Sequence, residues 1–325
     1  MNTIKTIEFN KPSPCVLDAT LRDGGLCNQF RFSDAFVKAL YETNLACGVQ
    51  YMEFGYRAST KEFSREEFGK WKFCTEEDLR SIVGDNDTDM KIAVMADVGR
   101  CDYKNDFLPK SESVVDLVRV ACYAHQLDEA IDMIEHFHNL GYETSCNVMA
   151  VSTTPTRELE ELLPRLCRSS ADFIYLVDSY GAFHAADVIS LMHKYTAYAA
   201  PYGKKIGIHA HNNQNLAFSN TVTALENGAS FLDATMMGMG RGAGNCAMEQ
   251  LLGYLDPSLL SLSAMLDFLR DYMIPLKESG IRWGYDLPYL ITGLLNTHPR
   301  AAIQFTSTEQ KDCRAFLESL QRVAQ

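Results

Sequence analysis

Lys205-Ile-Gly-Ile-His-Ala-His211, followed by Asn212 and Asn213, is an apolar run of strand type that ends in two histidines. Residues two apart on a strand share a face, so both imidazoles point the same way. Up to that point the run is apolar on both faces, as a strand buried on both sides requires. Seven more runs of this kind, rich in Val, Ile and Phe, occupy 15–21, 50–55, 91–97, 117–122, 145–151, 173–178 and 231–236. Amphipathic helical stretches alternate with them, among them 33–47, 127–140, 156–167, 185–199 and 215–226. Gly48, Gly141 and Gly228 follow three of these, where C-terminal caps belong. Eight β runs separated by helical or mixed connectors predict an α/β fold, a (β/α)8 TIM barrel. An open doubly wound sheet is the competing arrangement. Gly24-Gly25 followed by Leu-Cys-Asn is not the glycine fingerprint that such a sheet places after its first strand.

The chain of 325 residues is longer than the ~250 of an ordinary barrel. Beyond Asp256 the β/α rhythm stops, and 261–278, 288–295 and 307–323 read as helices. The expected organisation is a catalytic barrel over 1–255 and a C-terminal helical extension over 256–325. Two connectors, 57–72 and 99–113, are irregular; both follow strand C-termini and are placed to shape or cover a site. Hydrophobic residues at 46% and charged residues at 22% suit a large buried core. A net charge of −12 argues against nucleic acid or a membrane surface as partner. An anionic small substrate remains compatible, because local arginines and a metal reverse the field inside one cleft. No apolar stretch reaches the length of a membrane span. Met1-Asn2-Thr3-Ile4-Lys5 is not followed by the apolar core of a signal peptide. The ten cysteines are scattered singly and mostly inside apolar runs, which reads as reduced thiols in a cytoplasmic protein.

Barrel sites assemble where strands end. The polar residues that punctuate those ends are Arg22 and Asp23, Glu53, Asp97, Arg119, Asn147, Asp178, His209 and His211. Any one of them reads equally well as a solvated loop residue or a buried ion pair; nearly every strand ending this way points to a convergent site. One carboxylate from Asp23 and two imidazoles from His209 and His211 make a ligand set for Mg²⁺, Mn²⁺ or Zn²⁺ that leaves positions free for substrate. Arg22 faces a different way from its neighbour and is placed to stabilise an enolate or carboxylate oxygen beside the cation. Gly238-Met-Gly-Arg-Gly-Ala-Gly-Asn245 matches neither the dinucleotide nor the P-loop pattern. Its amides and a helix starting at Asn245 are suited to an anionic group, and Asn245 to a fourth ligand position.

Leu21-Arg-Asp-Gly24, Val118-Arg-Val-Ala121, Val177-Asp-Ser-Tyr-Gly-Ala182, His209-Ala-His-Asn212 and the Gly-rich segment come in an order and spacing that resembles one superfamily. This is the metal-dependent aldolase and Claisen-condensing superfamily, which includes 4-hydroxy-2-oxovalerate aldolase, hydroxymethylglutaryl-CoA lyase, isopropylmalate synthase and homocitrate synthase. The resemblance runs from about Cys15 to Gly253. It implies a TIM barrel and a divalent metal, Mn²⁺ or Mg²⁺ foremost with Zn²⁺ or Co²⁺ as alternatives. It also implies Asp23, His209, His211 and Asn245 as ligands, and Arg22 as the enolate-stabilising residue.

Segments four to six look closest to 4-hydroxy-2-oxovalerate aldolase, yet two of that enzyme's residues do not carry over. Its His shortly after Arg-Asp-Gly is replaced here by Gly25-Leu26-Cys27-Asn28. In place of its C-terminal Tyr, the stretch Thr292-Gly-Leu-Leu-Asn-Thr-His298-Pro299 offers a His. Gly25 stands where the isopropylmalate and homocitrate synthases have Glu, and a long regulatory domain is missing, which argues against those two activities.

The implied activity is a class II aldolase or carbon–carbon lyase working through the enolate of a short, pyruvate-type 2-oxo acid, with a 4-hydroxy-2-oxo acid as substrate. The alternatives are an acetyl-CoA-dependent Claisen-type synthase and a metal-binding barrel with lost or altered chemistry. The catalytic candidates are Arg22, His298, Tyr180 and Glu53, with Tyr56 and Cys27 as further proton carriers. Arg119, Asp178, Asn147 and Gly24 are the candidates for substrate binding; Arg119 and Glu53 alternatively pair with each other. The resemblance also implies a homo-oligomer and an aldehyde dehydrogenase partner.

Overall fold

Strands that are buried on both faces form the centre of the molecule. The structure, a computed structural model, describes residues 13–256 and 258–323. The amino-terminal stretch read against a signal peptide, and with it the start of the expected barrel domain, lies outside the described residues. The strands are β1 (Cys15–Asp18), β2 (Tyr51–Tyr56), β3 (Lys91–Asp97), β4 (Val115–Cys122), β5 (Glu143–Val148), β6 (Phe173–Asp178), β7 (Lys205–Ala210) and β8 (Phe231–Ala234). They pair in chain order, all parallel, and β1 closes the barrel on β8 through Leu17↔Asp233 and Asp18↔Ala234. The predicted TIM barrel is the observed fold.

The helices of the barrel are α1 (Thr20–Asn28), α2 (Asp34–Ala46), α3 (Glu76–Val83), α4 (Leu127–Asn139), α5 (Thr156–Arg168), α6 (Ala185–Ala199), α7 (Ala217–Glu226) and α8 (Met248–Leu255). Segment 99–113, between β3 and β4, holds only a 3-10 turn at Lys110–Glu112. It docks on the other irregular connector, where Ser59 N–H donates to Arg100 O at 2.9 Å and Arg57 packs over the Phe107 ring.

Two expectations need correction. The run 15–21 is not one strand. The Asp18 carboxylate accepts hydrogen bonds from the Thr20 amide and hydroxyl, and from Asn44 Nδ2 at 2.7 Å. This side-chain turn ends β1 and starts α1. Arg22 and Asp23 therefore occupy the first turn of a buried helix rather than a strand end. Nor does a helix start at Asn245. That residue lies in extended backbone bridged to His211, and α8 begins at Met248.

The barrel interior is layered. At the bottom, Lys91 and the Tyr51 hydroxyl both reach the Glu143 carboxylate. Above them Leu17, Ala93, Leu117, Phe173 and Phe231 form an apolar plug. The Tyr175 ring fills the next level. It faces Gly207, where a Cβ would lie 2.5 Å from the ring. Charged groups begin above this level.

The C-terminal extension comprises α9 (Leu260–Phe268), a π-helical stretch at Leu269–Met273, α10 (Ile274–Glu278), α11 (Leu287–Leu294), α12 (Arg300–Thr306) and α13 (Cys313–Val323). The expected helix over 307–323 is shorter, and α12 is an addition to the expected set. The extension is stitched to the barrel: Phe268 and Tyr272 pack on Phe36, Trp283 donates to Met237 O, and Asn296 donates to Ser152 O. No helix among the described residues is long and apolar enough to cross a membrane.

Candidate metal centre

The alternation of β7 carries His209 and His211 onto the barrel mouth, with ring centres 5.1 Å apart and planes almost perpendicular. Asp23 arrives from α1. One ligating atom from each of the three lies within 4.8 Å of the others, and all three side chains are buried.

The surroundings fix the protonation of each group. His209 Nδ1 is 2.9 Å from Asp233 Oδ2. Burial raises the Asp233 carboxyl, but the Arg119 guanidinium and His209 together outweigh this and hold it below the usual range. An ionised carboxylate only accepts, so Nδ1 carries the proton and Nε2 keeps its lone pair. Nε2 is buried without a partner. His211 Nδ1 lies 3.2 Å from the Gly244 carbonyl and is likewise the protonated nitrogen. Burial pushes the His211 imidazole down to about 3, with Arg241 contributing and Asp23 opposing, so it is neutral, as a ligand must be. Burial alone would raise the Asp23 carboxyl, but Arg22 and the imidazoles hold it well below the usual range.

Asn245 completes the cluster. Its Nδ2 donates to Asp23 Oδ2 at 2.5 Å and to Met239 O at 3.2 Å, while its Oδ1 is buried with no partner. Buried acceptors without donors are costly. Here one of them, His209 Nε2, belongs to a group of a carboxylate and two imidazoles, and the other, Asn245 Oδ1, is on the amide that bonds that carboxylate. This donor set fits a hard-to-borderline divalent cation. Gly240 belongs to the same cradle: a Cβ there would collide with Asn245 Nδ2 and lie 2.5 Å from Asp23 Oδ2.

A chain of alternating charges supports the cluster from below. Arg22 bonds Asp23 through Nη1 and Glu53 through Nε, both at 2.8 Å. Arg119 bonds the same Glu53 oxygen at 2.8 Å and Asp233 at 2.6 Å, and stacks over Tyr175. Arg119 and Glu53 have no exposed surface. They pair with each other inside the barrel, and neither lines the cleft.

The cleft above the cluster spans about 580 Å³ with its open mouth included and is lined by Arg22, Asp23, Tyr56, Asp97, Asn147, Tyr180, His209, His211, Arg241 and His298, among others. Tyr180 and His298 face each other with ring centres 5.7 Å apart. His298 Nδ1 accepts the Arg300 amide at 3.0 Å, which caps α12 and leaves the proton on Nε2. Burial, then Arg241, bring this imidazole down to about 4. At neutral pH it is a hydrogen-bond donor.

Besides Arg119 and Glu53, three more of the sequence candidates lie outside the cleft. Asp178, pushed up to about 6 by burial against opposing hydrogen bonds, accepts the Ala182 and Phe183 amides and shapes the loop that presents Ser179 and Tyr180. Gly24 packs on the Met239 side chain. The Cys27 thiol, pushed up to about 12 mainly by burial, donates to Gly240 O. Tyr289, just ahead of 292–299, packs its ring beside Gly242 with its hydroxyl near Thr306, outside the cleft.

Sequence reasoning missed Asp233 and assigned no role to Arg241. Asp233 was visible as a charge inside the run Phe231-Leu-Asp-Ala234, and Arg241 as the charged residue of the Gly-rich segment.

The closed parallel barrel thus carries a buried cluster of Asp23, His209, His211 and Asn245 on its C-terminal rim. The family model described as HMGL-like matches residues 13–268, and the chain belongs to the HMGL-like family. It is 28% identical over 246 residues to an oxaloacetate decarboxylase of Mycobacterium tuberculosis, covering 74% of this chain and 70% of that protein. It is 31% identical over 249 residues to a 4-hydroxy-2-oxovalerate aldolase of Chloroflexus aurantiacus, covering 75% and 69%. The N-terminal domain of a Bacteroides vulgatus protein, whose aldolase assignment is provisional, superposes with a TM-score of 0.71 at 28% identity, covering 91% of this chain and 97% of that one. The HMG-CoA lyase of Brucella melitensis shares the fold at 18% identity, with a TM-score of 0.60 over 88% of this chain and 98% of that one.

Proposed function

We propose that the protein is a divalent-metal-dependent aldolase or lyase that makes or breaks a carbon–carbon bond through the enolate of a short 2-oxo acid. A 4-hydroxy-2-oxo acid is the substrate in the cleavage direction. The observation that carries this reading is the convergence of Asp23, His209, His211 and Asn245, two of them with orphaned buried acceptors, beside an arginine that lines the cleft.

When bound, a Mn²⁺ or Mg²⁺ ion supplies Lewis acidity to the keto oxygen of a 2-oxo acid. Arg22, fixed between Asp23 and Glu53, adds a second positive charge where the enolate oxygen develops. Loss of such a donor costs on the order of 10²–10³ in rate. In cleavage the C3–C4 bond breaks, its electron pair passes to the C2 oxygen, the 4-hydroxyl gives up its proton, and C3 takes one. Tyr180 and the His298 Nε2–H stand on one wall as hydrogen-bond donors to substrate oxygens. Asp97 stands on the other with Tyr56, and burial raises its carboxyl above the usual range. Asp97 is the lining carboxylate that is not a ligand candidate, which makes it the best placed base. Asn147 orients substrate from the cleft wall.

The reading extends to the division into a barrel over 1–255 and an extension over 256–325, to a cytoplasmic location, and to a homo-oligomer with an aldehyde dehydrogenase partner. It is supported by ten free cysteines and by exposed Leu287, Leu294 and Ile303 on the C-terminal helices.

Proton NMR in D₂O tests the chemistry. The wild-type protein with Mn²⁺ or Mg²⁺ should exchange the methyl protons of pyruvate. Chelation should stop the exchange, and Asp23→Asn should slow it at least about 100-fold. No exchange by the wild type with any of Mn²⁺, Mg²⁺, Co²⁺ or Zn²⁺ would rule the reading out.

A further inference from the structure

We propose that Arg241, His298 and Tyr180 form a carboxylate-binding wall, so that the substrate is a 2-oxo diacid whose second carboxylate sits on the electrophile released by cleavage. This rests on the aldolase reading above and names the substrate class of that same site.

The first observation is an unneutralised cation. Arg22 and Arg119 are each bonded to two carboxylates. Arg241 makes no ion pair among the described residues. Its Nη2 donates to the Ser179 carbonyl at 3.0 Å, and its Nε is buried without a partner. A half-buried guanidinium with a spare N–H is poorly satisfied, and an anion accepting from it relieves the cost.

The second observation is that this arginine is held in place. It lies between Gly240 and Gly242, and Gly242 and Gly244 have φ of +63° and +81°. Gly240 cannot carry a Cβ against Asn245 and Asp23, and Gly244 cannot carry one against the Gly238 carbonyl. The loop that brings Asn245 to the metal cluster therefore also fixes the side chain before Gly242 over the cleft.

The third observation is the character of the neighbours. His298 is the Nε2–H tautomer, because its Nδ1 accepts from Arg300. Tyr180 faces it at 5.7 Å. Ser179, Asn147 and Met149 line the same cleft; the Asp23 carboxylate feels the Arg241 charge but is bonded to Arg22 instead. A guanidinium, an imidazole N–H and a phenol suit the two oxygens of a carboxylate. The 2-oxo acid end is already provided for by the metal cluster and Arg22. The free cation therefore belongs to the other end of the molecule.

A matched pair of substrates isolates this wall. 4-Hydroxy-2-oxoglutarate cleaves between C3 and C4 to pyruvate and glyoxylate, and 4-hydroxy-2-oxopentanoate cleaves to pyruvate and acetaldehyde. In both, the 4-hydroxyl proton goes to Asp97, the bond pair becomes the enolate, and the protonated base returns a proton to C3. The full-length protein with Mn²⁺ should prefer the diacid in kcat/KM by about 10–100-fold, the range expected for a charge-assisted hydrogen bond. Arg241→Met should erase that preference mainly through KM, and Arg241→Lys should keep part of it. Calorimetric titration with 2-oxoglutarate and 2-oxopentanoate gives a readout that needs no turnover: the diacid should bind more tightly to wild type and lose its advantage in Arg241→Met. Equal use and equal binding of the two acids by wild type, or a preference that survives Arg241→Met, overturns the inference. If wild type fails to exchange pyruvate protons, the aldolase reading falls, and the titration still decides whether the wall binds carboxylates.

Discussion

Three buried aspartates near the barrel mouth have opposite electrostatics because of what they touch. Asp23 and Asp233 each meet an arginine and stay ionised. Asp18 meets only neutral donors, Thr20 and Asn44, and burial raises its carboxyl from 3.8 to about 6 in spite of them. Below about 4 Asp18 binds a proton in both the folded and the unfolded chain. Between about 4 and 6 only the folded chain binds it, so the stability it contributes declines as pH rises through that window. An Asn at this position can still accept from Thr20, and its amide would face Asn44, whose own Oδ1 lacks a partner. Asp18→Asn should therefore fold and should flatten the loss of stability between pH 5 and pH 7.5; Asp178, also near 6, retains its own share. Urea unfolding of the metal-free protein at the two pH values measures this, and an unchanged pH slope in Asp18→Asn refutes it. At this scale the sequence showed the candidate ligands but not their supports. His209 and His211 announce a shared face by their spacing. The bond from His209 to Asp233 joins adjacent strands whose register no local pattern reveals, and the proton position on His298 depends on a helix cap in an unexpected helix.

Strands were legible because a parallel barrel buries both of their faces, and few architectures other than a closed parallel sheet can bury eight continuous apolar runs. Element ends were less legible, because they are set by contacts distant in sequence or by side-chain turns. β1 stops at Asp18 since its carboxylate draws the Thr20 amide into a turn, although Leu21 is as apolar as the strand before it. The loop from β8 is extended at Asn245, where it bridges to His211, and not helical as expected. The glycine of β7 has a similarly remote cause. Gly207 has an ordinary φ, so its freedom is not the point; the Tyr175 ring on β6 fills the space its side chain would take. Gly207→Ala should thus overpack the barrel interior and cost about 1–3 kcal/mol in chemical denaturation. The same substitution at Gly253, which meets nothing within 4 Å on α8, should be neutral or slightly stabilising. Equal stabilities for the two variants would show that the interior can shift around Tyr175.

At the scale of the whole molecule, barrel closure makes the candidate metal cluster out of parts far apart in the chain. Asp23 follows β1, the histidines stand at the end of β7, and Asn245 sits on the loop after β8; β1 comes beside β8, and so near the end of β7, only because the sheet closes. The cluster should therefore be absent from the unfolded chain, and any ion it binds should stabilise the fold by mass action. A free ion at about 100 times its dissociation constant should add about 2.7 kcal/mol. The stabilisation should reach the C-terminal extension, because Trp283 is bonded to Met237, ahead of the loop that carries Asn245, and Phe268 packs on Phe36 of α2. The melting temperature of the wild type should rise with Mn²⁺ concentration and fall back with chelator, in one transition that covers barrel and extension. Asp23→Asn and His209→Ala should melt at a temperature independent of Mn²⁺, and Asn245→Ala should respond only at higher concentration. A wild-type melting temperature indifferent to every divalent ion, or a Mn²⁺ response retained by Asp23→Asn, would show that these residues hold no ion and that the orphaned acceptors of His209 and Asn245 have another partner.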